Sequence, residues 1–193
     1  MRTHTKESQG TISPQEAIML LKEGNERFQN NLKANRNLLQ QVNETTNGQF
    51  PYAAILSCID SRVSAELVFD QGIGDIFSAR VAGNFSNDDI LGSLEFACKV
   101  AGSKVIVVLG HSSCGAVKGA CDSVELGKLT GMLDKIKPAI NSVEGEYNDK
   151  TSSNKDFVQA VADKNVELTV QAIKDGSEVL KEMVDNNEIK IVG

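Results

Sequence analysis

The chain has 193 residues and a formal net charge of −6, from 20 Lys plus Arg against 26 Asp plus Glu, with two His, four Cys and no Trp. A chain of this length buries roughly 70% of the surface its unfolded form exposes, enough for a core with no disulfide or metal staple. Its 40% hydrophobic and 24% charged residues exclude disordered and fibrous classes, and the acidic balance speaks against nucleic acid as a partner.

The first twenty residues contain no apolar core of the kind a secretory signal needs. The longest strongly apolar run, Val105–Leu109, is far short of the ~18 residues that cross a bilayer. The expectation is a soluble, cytoplasmic protein with no membrane partner. Four cysteines are too few for a disulfide scaffold, so each reads as a metal ligand, a nucleophile or a buried thiol.

In chain order, Ser13-Pro14-Gln15-Glu16 supplies an N-cap, a proline at the first helical position and a glutamate that reaches back to the cap, predicting a helix from Ser13 to about Asn31. Ile18, Leu21, Phe28 and Leu32 form its apolar face, for packing on its own domain or on a partner subunit. Residues 35–50 read as polar connector. Four apolar runs follow, Ala53–Leu56, Ile76–Val81, Val105–Leu109 and Ile189–Val192, and they read as buried strands. Between them lie helical stretches at Asp89–Ala101, Gly115–Leu126 and Phe157–Lys174, with an exposed loop over Asn141–Asp156 and a break at Gly176-Ser177. This alternation predicts an α/β fold: a mainly parallel sheet flanked by helices, one domain over residues 1–193 with residues 1–34 as an N-terminal helical arm. The end at Gly193, directly after an apolar run, reads as a last strand without its continuation or as a truncated chain.

Two nucleotide motifs fail. Gly72-Ile73-Gly74 has Phe77 where a dinucleotide fingerprint needs its third glycine, and Gly110–Gly115 has Ala116-Val117 where a P-loop needs Lys and Ser or Thr. The positive signal lies where two predicted strands end. One exits into Ser57-Cys58-Ile59-Asp60-Ser61-Arg62 and the other into Gly110-His111-Ser112-Ser113-Cys114-Gly115. Carboxyl ends of neighbouring parallel strands converge, so Cys58, His111 and Cys114 can meet. Two thiolates and an imidazole form a zinc ligand set, and three protein ligands leave a fourth position for water. Cys98 and Cys121, spaced with apolar neighbours at helical intervals, read as core. On pattern alone Asp60 and Arg62 have two readings. One is a helix N-cap with its neighbour; the other is a carboxylate that serves the metal-bound water or the metal, held ionised by an arginine.

At these residues the sequence resembles the β-class carbonic anhydrases. The matching elements are Cys58-Ile59-Asp60-Ser61-Arg62, Phe77-Ser78-Ala79-Arg80-Val81-Ala82-Gly83-Asn84 and Gly110–Gly115. The resemblance implies a zinc enzyme for reversible hydration of carbon dioxide to bicarbonate and a proton, through zinc-bound hydroxide. Zn2+ would be held by Cys58, His111 and Cys114, with Asp60 and Arg62 as a catalytic dyad. It further implies that Gln49, Phe77, Ala82 and Phe96 meet substrate, and the Gly115 backbone N–H is expected to meet a substrate oxygen. Phe96 stands where many members have tyrosine. The implied assembly is a homodimer or a dimer-based tetramer, with the arm wrapped over the partner. Rival readings are a carbon disulfide-type hydrolase on the same fold, a cysteine-nucleophile enzyme using Cys114 with His111, and a non-catalytic zinc-binding module in which Asp60 fills the fourth position.

Overall fold

The computed structural model describes residues 2–193. Four parallel strands form one sheet in the order β2-β1-β3-β4: β1 is Ala53–Ser57, β2 Ile76–Arg80, β3 Val105–Leu109 and β4 Lys190–Val192. In chain order the α-helices are α1 (Lys6–Thr11), α2 (Pro14–Gln29), α3 (Leu38–Glu44), α4 (Ala65–Val68), α5 (Asp88–Glu95), α6 (Gly115–Cys121), α7 (Gly127–Leu133), α8 (Lys137–Ser142), α9 (Lys155–Gly176) and α10 (Glu178–Asp185). The predicted α/β architecture is therefore the observed one.

Strand alternation decides the two faces of the sheet. Ala54, Leu56, Ile106 and Val108 pack with Leu94 of α5, Ile173 of α9, and Leu180 and Met183 of α10. Ala53, Ile55 and Val105 pack with Ala17 and Leu21 of α2 and Ala65 of α4. Both faces of β1 and β3 are thus covered, which is why their sequences run apolar without polar alternation. Beyond the carboxyl ends of the strands, α6, α7, α8 and the first half of α9 enclose Cys58 and Cys114 in a third cluster.

Four expectations are corrected. Residues 35–50 contain α3, whose Asn37 cap accepts from the Gln40 N–H at 3.0 Å. Its buried residue is polar: Gln41 accepts the Ile73 N–H at 3.2 Å, so no apolar stripe announces the helix. The helix expected over Gly115–Leu126 stops at Cys121, just before Ser123 turns left-handed at φ 52. The helix expected over Asp89–Ala101 changes winding after Glu95 to one wide turn over Phe96–Val100. The face expected from Ile18, Leu21, Phe28 and Leu32 buries only Leu21 fully, and Phe28 and Leu32 remain 44% and 63% exposed. Contact instead runs through Ala17, Leu21 and Gly24, because α2 approaches α4 so closely that a Cβ at Gly24 would lie 1.8 Å from the Phe69 carbonyl oxygen.

Asp70, in the loop after α4, ties down α2 and the segment that follows it. This carboxylate, 7% exposed, accepts from Arg27 Nε at 2.5 Å, Arg36 Nη1 at 2.6 Å and the Ala34 N–H at 3.1 Å. Burial alone would raise its pKa; the hydrogen bonds from Arg27, Ala34 and Arg36 outweigh that and hold it below the ordinary value. Asp70→Asn removes the buried carboxylate that Arg27 and Arg36 share and should lower the unfolding free energy in urea by about 3 kcal/mol. Since the folded pKa is depressed, Asp70's stabilisation is complete above the ordinary aspartate value of ~3.9 and fades as pH falls through the folded value. The difference between wild type and variant should therefore shrink in acid.

Candidate metal centre

β1 and β3 are in register, Ser57 opposite Leu109, so Cys58 and Gly110 leave the sheet side by side at its carboxyl edge. The β3 loop ends at Cys114, the N-cap residue of α6. Within it Ser113 adopts φ 54, a left-handed conformation that is strained for serine. The result is convergence: the ligand atoms of Cys58, His111 and Cys114 all lie within 4.8 Å of one another.

The two sulfurs are 3.9 Å apart. A disulfide would need ~2.05 Å, whereas two thiolates on one tetrahedral zinc sit about 3.8 Å apart given Zn–S distances near 2.3 Å. His111 completes the fit. Its Nδ1–H donates to the Ser112 carbonyl at 2.9 Å, which fixes the tautomer and leaves Nε2 as the bare lone pair. That Nε2 is buried and has no hydrogen-bond partner, an arrangement that costs free energy unless a cation meets it. The residues present therefore suit a soft divalent ion.

Charge is distributed accordingly. A hydrogen bond from Cys114, assisted by the Gly83 N–H at 3.4 Å, outweighs burial and holds the Cys58 thiol below its ordinary value. Cys114 is pushed up by its hydrogen bond to Cys58 and by burial. Both sulfurs thus face His111, and a bound cation would favour the thiolate form of each. Elsewhere, burial pushes Cys98 up to about 12, and burial with Asp122 nearby pushes Cys121 up to about 11. Neither favours the thiolate that metal ligation needs.

Asp60 is not a helix cap. Ser64 occupies the N-cap position of α4, and the Asp60 carboxylate is instead held by Arg62, which donates from its backbone N–H at 3.0 Å, Nε at 2.9 Å and Nη2 at 2.8 Å. These hydrogen bonds keep the Asp60 carboxyl well below the usual range. Its Oδ2 lies 4.0 Å from His111 Nε2, beside the converging ligands but outside their group. Arg80 holds the same loop from β2, donating to the Cys58 carbonyl at 2.9 Å and the Asp60 carbonyl at 2.8 Å. Sequence reading gave Arg80 no role, because its partners are backbone oxygens.

The expected substrate residues are distributed differently. Phe77 and Phe96 meet edge to face at 6.1 Å and line a cavity of about 640 Å3 beside β2, together with Ala79, Ile90 and Leu94. A separate cavity of about 590 Å3 borders His111, with Val107, Leu109, Ala162 and Val166. Gln49 is exposed and precedes the amino end of β1, whereas Cys58 follows its carboxyl end. Ala82 sits half-buried after β2, and Gly115 begins α6 directly after Cys114. One copy of the chain thus brings together Cys58, Asp60, Arg62, His111, Cys114 and Gly115, but leaves Gln49, Phe77 and Phe96 apart from them.

Residues 53–193 match the protein family described as Carbonic anhydrase. The chain belongs to the β-class carbonic anhydrase family. Across 94% of its length it is 38% identical to carbonic anhydrase 2 of Mycobacterium tuberculosis, covering 87% of that protein. The fold superimposes on the β-carbonic anhydrase CafA of Aspergillus fumigatus with a TM-score of 0.67 at 22% identity, over 92% of this chain and 82% of that one. A tetrameric β-carbonic anhydrase of Sordaria macrospora gives the same TM-score at 22% identity, over 88% and 83%. In this carbonic anhydrase family member, Arg80→Ala removes charged hydrogen bonds from the loop after β1. Such bonds contribute about 1.5–3 kcal/mol each, so amide hydrogen exchange over residues 59–63 should accelerate by at least about tenfold while that of β3 stays unchanged.

Proposed function

We propose that this chain catalyses the reversible hydration of carbon dioxide to bicarbonate and a proton, with one zinc ion held by Cys58, His111 and Cys114. The observation that carries the reading is the buried, unpartnered His111 Nε2 facing two thiols, beside a carboxylate that Arg62 keeps ionised. When bound there, zinc lowers the pKa of a coordinated water towards roughly 7 and so supplies a nucleophile near neutral pH. Asp60 accepts a hydrogen bond from the attacking water and orients it, remaining ionised throughout because its carboxyl is held so low. Arg62 keeps Asp60 from turning onto the metal, and the Gly115 N–H, at the start of α6, meets a substrate oxygen. With Asp60 engaged by Arg62, a zinc held by Cys58, His111 and Cys114 would be left open to water, which favours an enzyme over an inert zinc module.

Carbon dioxide is small, apolar and uncharged, which suits Phe77, Ala82 and Phe96 as pocket walls and Gln49 as a polar edge. Since Gln49, Phe77 and Phe96 do not reach the metal group of their own chain, the reading assigns each pocket to a subunit boundary in a homodimer or a dimer-based tetramer. Met19, Phe28 and Leu32 along the arm, with Leu38, Leu39 and Val42 of α3, remain exposed and support a subunit contact there. Among the described residues no helix is long and apolar enough to cross a membrane. Four free cysteines, two of them with sulfurs 3.9 Å apart, suit the reducing cytoplasm. The acidic net charge of −6 disfavours nucleic acid.

Two sets of variants test the reading. Wild type should carry about one zinc per chain by elemental analysis. Cys58→Ser and Cys114→Ser should lose it, while Cys98→Ala keeps it at a cost on the order of 1 kcal/mol in stability; equal zinc loss in all three would sink the ligand assignment. In the second set, Arg62→Ala and Asp60→Asn should retain zinc yet fall about 10–100-fold in carbon dioxide hydration measured by stopped flow. Near wild-type rates in both would remove the dyad from the mechanism.

A further inference from the structure

The helix α9 crosses behind the metal centre, and its buried stripe runs Phe157, Val158, Val161, Ala162, Asn165, Thr169, Ile173. An asparagine is a poor choice for such a stripe: it is a weak helix former, and its amide must be satisfied once buried. Asn165 is 3% exposed, and its Nδ2–H donates to the Gly83 carbonyl at 2.8 Å across 82 residues of sequence. Gly83 in turn donates its own N–H to Cys58 Sγ at 3.4 Å. A buried side chain and a cysteine thus hold opposite sides of the same residue.

That residue sits in a turn that needs holding. The Asn84 N–H bonds the Val81 carbonyl at 2.9 Å and Gly83 has φ +83, the third position of a type II turn, where glycine alone is unstrained. A Cβ at Gly83 would lie 2.7 Å from Ile136 Cδ1, so the turn is pressed against the helices that enclose the site. Glycine permits many backbone conformations. Capturing its carbonyl selects one of them, in which the N–H points at the Cys58 sulfur.

The geometry points to Asn165 as a positioning residue for the metal centre: through Gly83 it fixes the backbone donor that orients the Cys58 thiolate and moderates its donation to the ion. The inference rests on the reading of Cys58, His111 and Cys114 as ligands. Hydrogen-bond partners one step removed from a metal typically change its affinity 10–100-fold when lost, because they set ligand orientation and basicity.

The test compares wild type, Asn165→Leu, which is near-isosteric and lacks the donor, and Thr169→Val. Thr169 is equally buried at 4% exposure on the same helix and serves as a packing control. Zinc transfer from each protein to a chromogenic chelator is timed, the thiolate-to-metal absorption of the Co2+ form is recorded, and thermal unfolding is followed by circular dichroism. Asn165→Leu should unfold cooperatively, release zinc about tenfold faster and show a shifted Co2+ absorption, while Thr169→Val keeps the wild-type release rate and spectrum. If the leucine variant does not fold, Asn165→Ala is read in its place. Wild-type release and spectrum in the variant that folds would overturn the proposal, as would the same changes in Thr169→Val, which would mark them as general loosening. A wild-type protein that takes up neither ion would overturn the ligand reading itself and the role of Asn165 with it.

Discussion

The centre exists because two adjacent parallel strands stop at the same level. Ser57 and Leu109 face each other across the β1–β3 ladder, and Cys58, Asp60, Arg62, His111 and Cys114 all follow within five residues of one or the other. Backbone hydrogen bonds of the ladder and apolar packing on both faces set this alignment together. It brings Cys58 and Cys114 together across 56 residues of sequence before any ion is considered. A one-residue slip of the ladder would turn every buried side chain of β1 to the opposite face, so the apolar packing on both faces of the sheet also guards the position of the ligands.

Around that alignment the polar groups form a graded shell. Nearest are the two sulfurs and His111 Nε2, which are satisfied by one another only in part. Next come groups that hold them: the Ser112 carbonyl on His111, the Gly83 N–H on Cys58, and Arg80 on the carbonyls of Cys58 and Asp60. The dyad of Asp60 and Arg62 is more exposed and meets solvent. Rigid donors sit deep and the carboxylate sits at the mouth, which is the order expected where an ion is to be gripped and a water exchanged.

How much of this is legible in the sequence depends on what each residue bonds to. The four strands are legible because β1 and β3 are buried on both faces and their apolar runs admit no other reading. The trio of Cys58, His111 and Cys114 is legible because cysteine and histidine carry distinctive chemistry at strand exits. Arg80, Gly83 and Asn165 are not: their partners are peptide groups, which look alike in every sequence, and only the folded register shows which peptide is meant. One signal existed for Asn165, an amide inside the apolar stripe of α9. The helix α3 escaped for the complementary reason, since it buries Gln41 and exposes Leu38, Leu39 and Val42, inverting the pattern by which helices are recognised.

Close to the amino end of the chain, Gln15 accepts a hydrogen bond from Lys190 Nζ at 2.9 Å across 175 residues, and the Lys190 N–H bonds the Lys104 carbonyl at 3.1 Å. The last strand therefore docks beside the first long helix. Pairings of such span carry a large loop-closure penalty before any contact repays it, which makes folding slow relative to helical domains of similar size. During synthesis β1, β2 and β3 emerge long before β4, so that edge of the sheet waits unpaired until β4 has been made. Its neighbour β3, with the apolar sequence Val105-Ile106-Val107-Val108-Leu109, is the segment most exposed to misassociation in that interval.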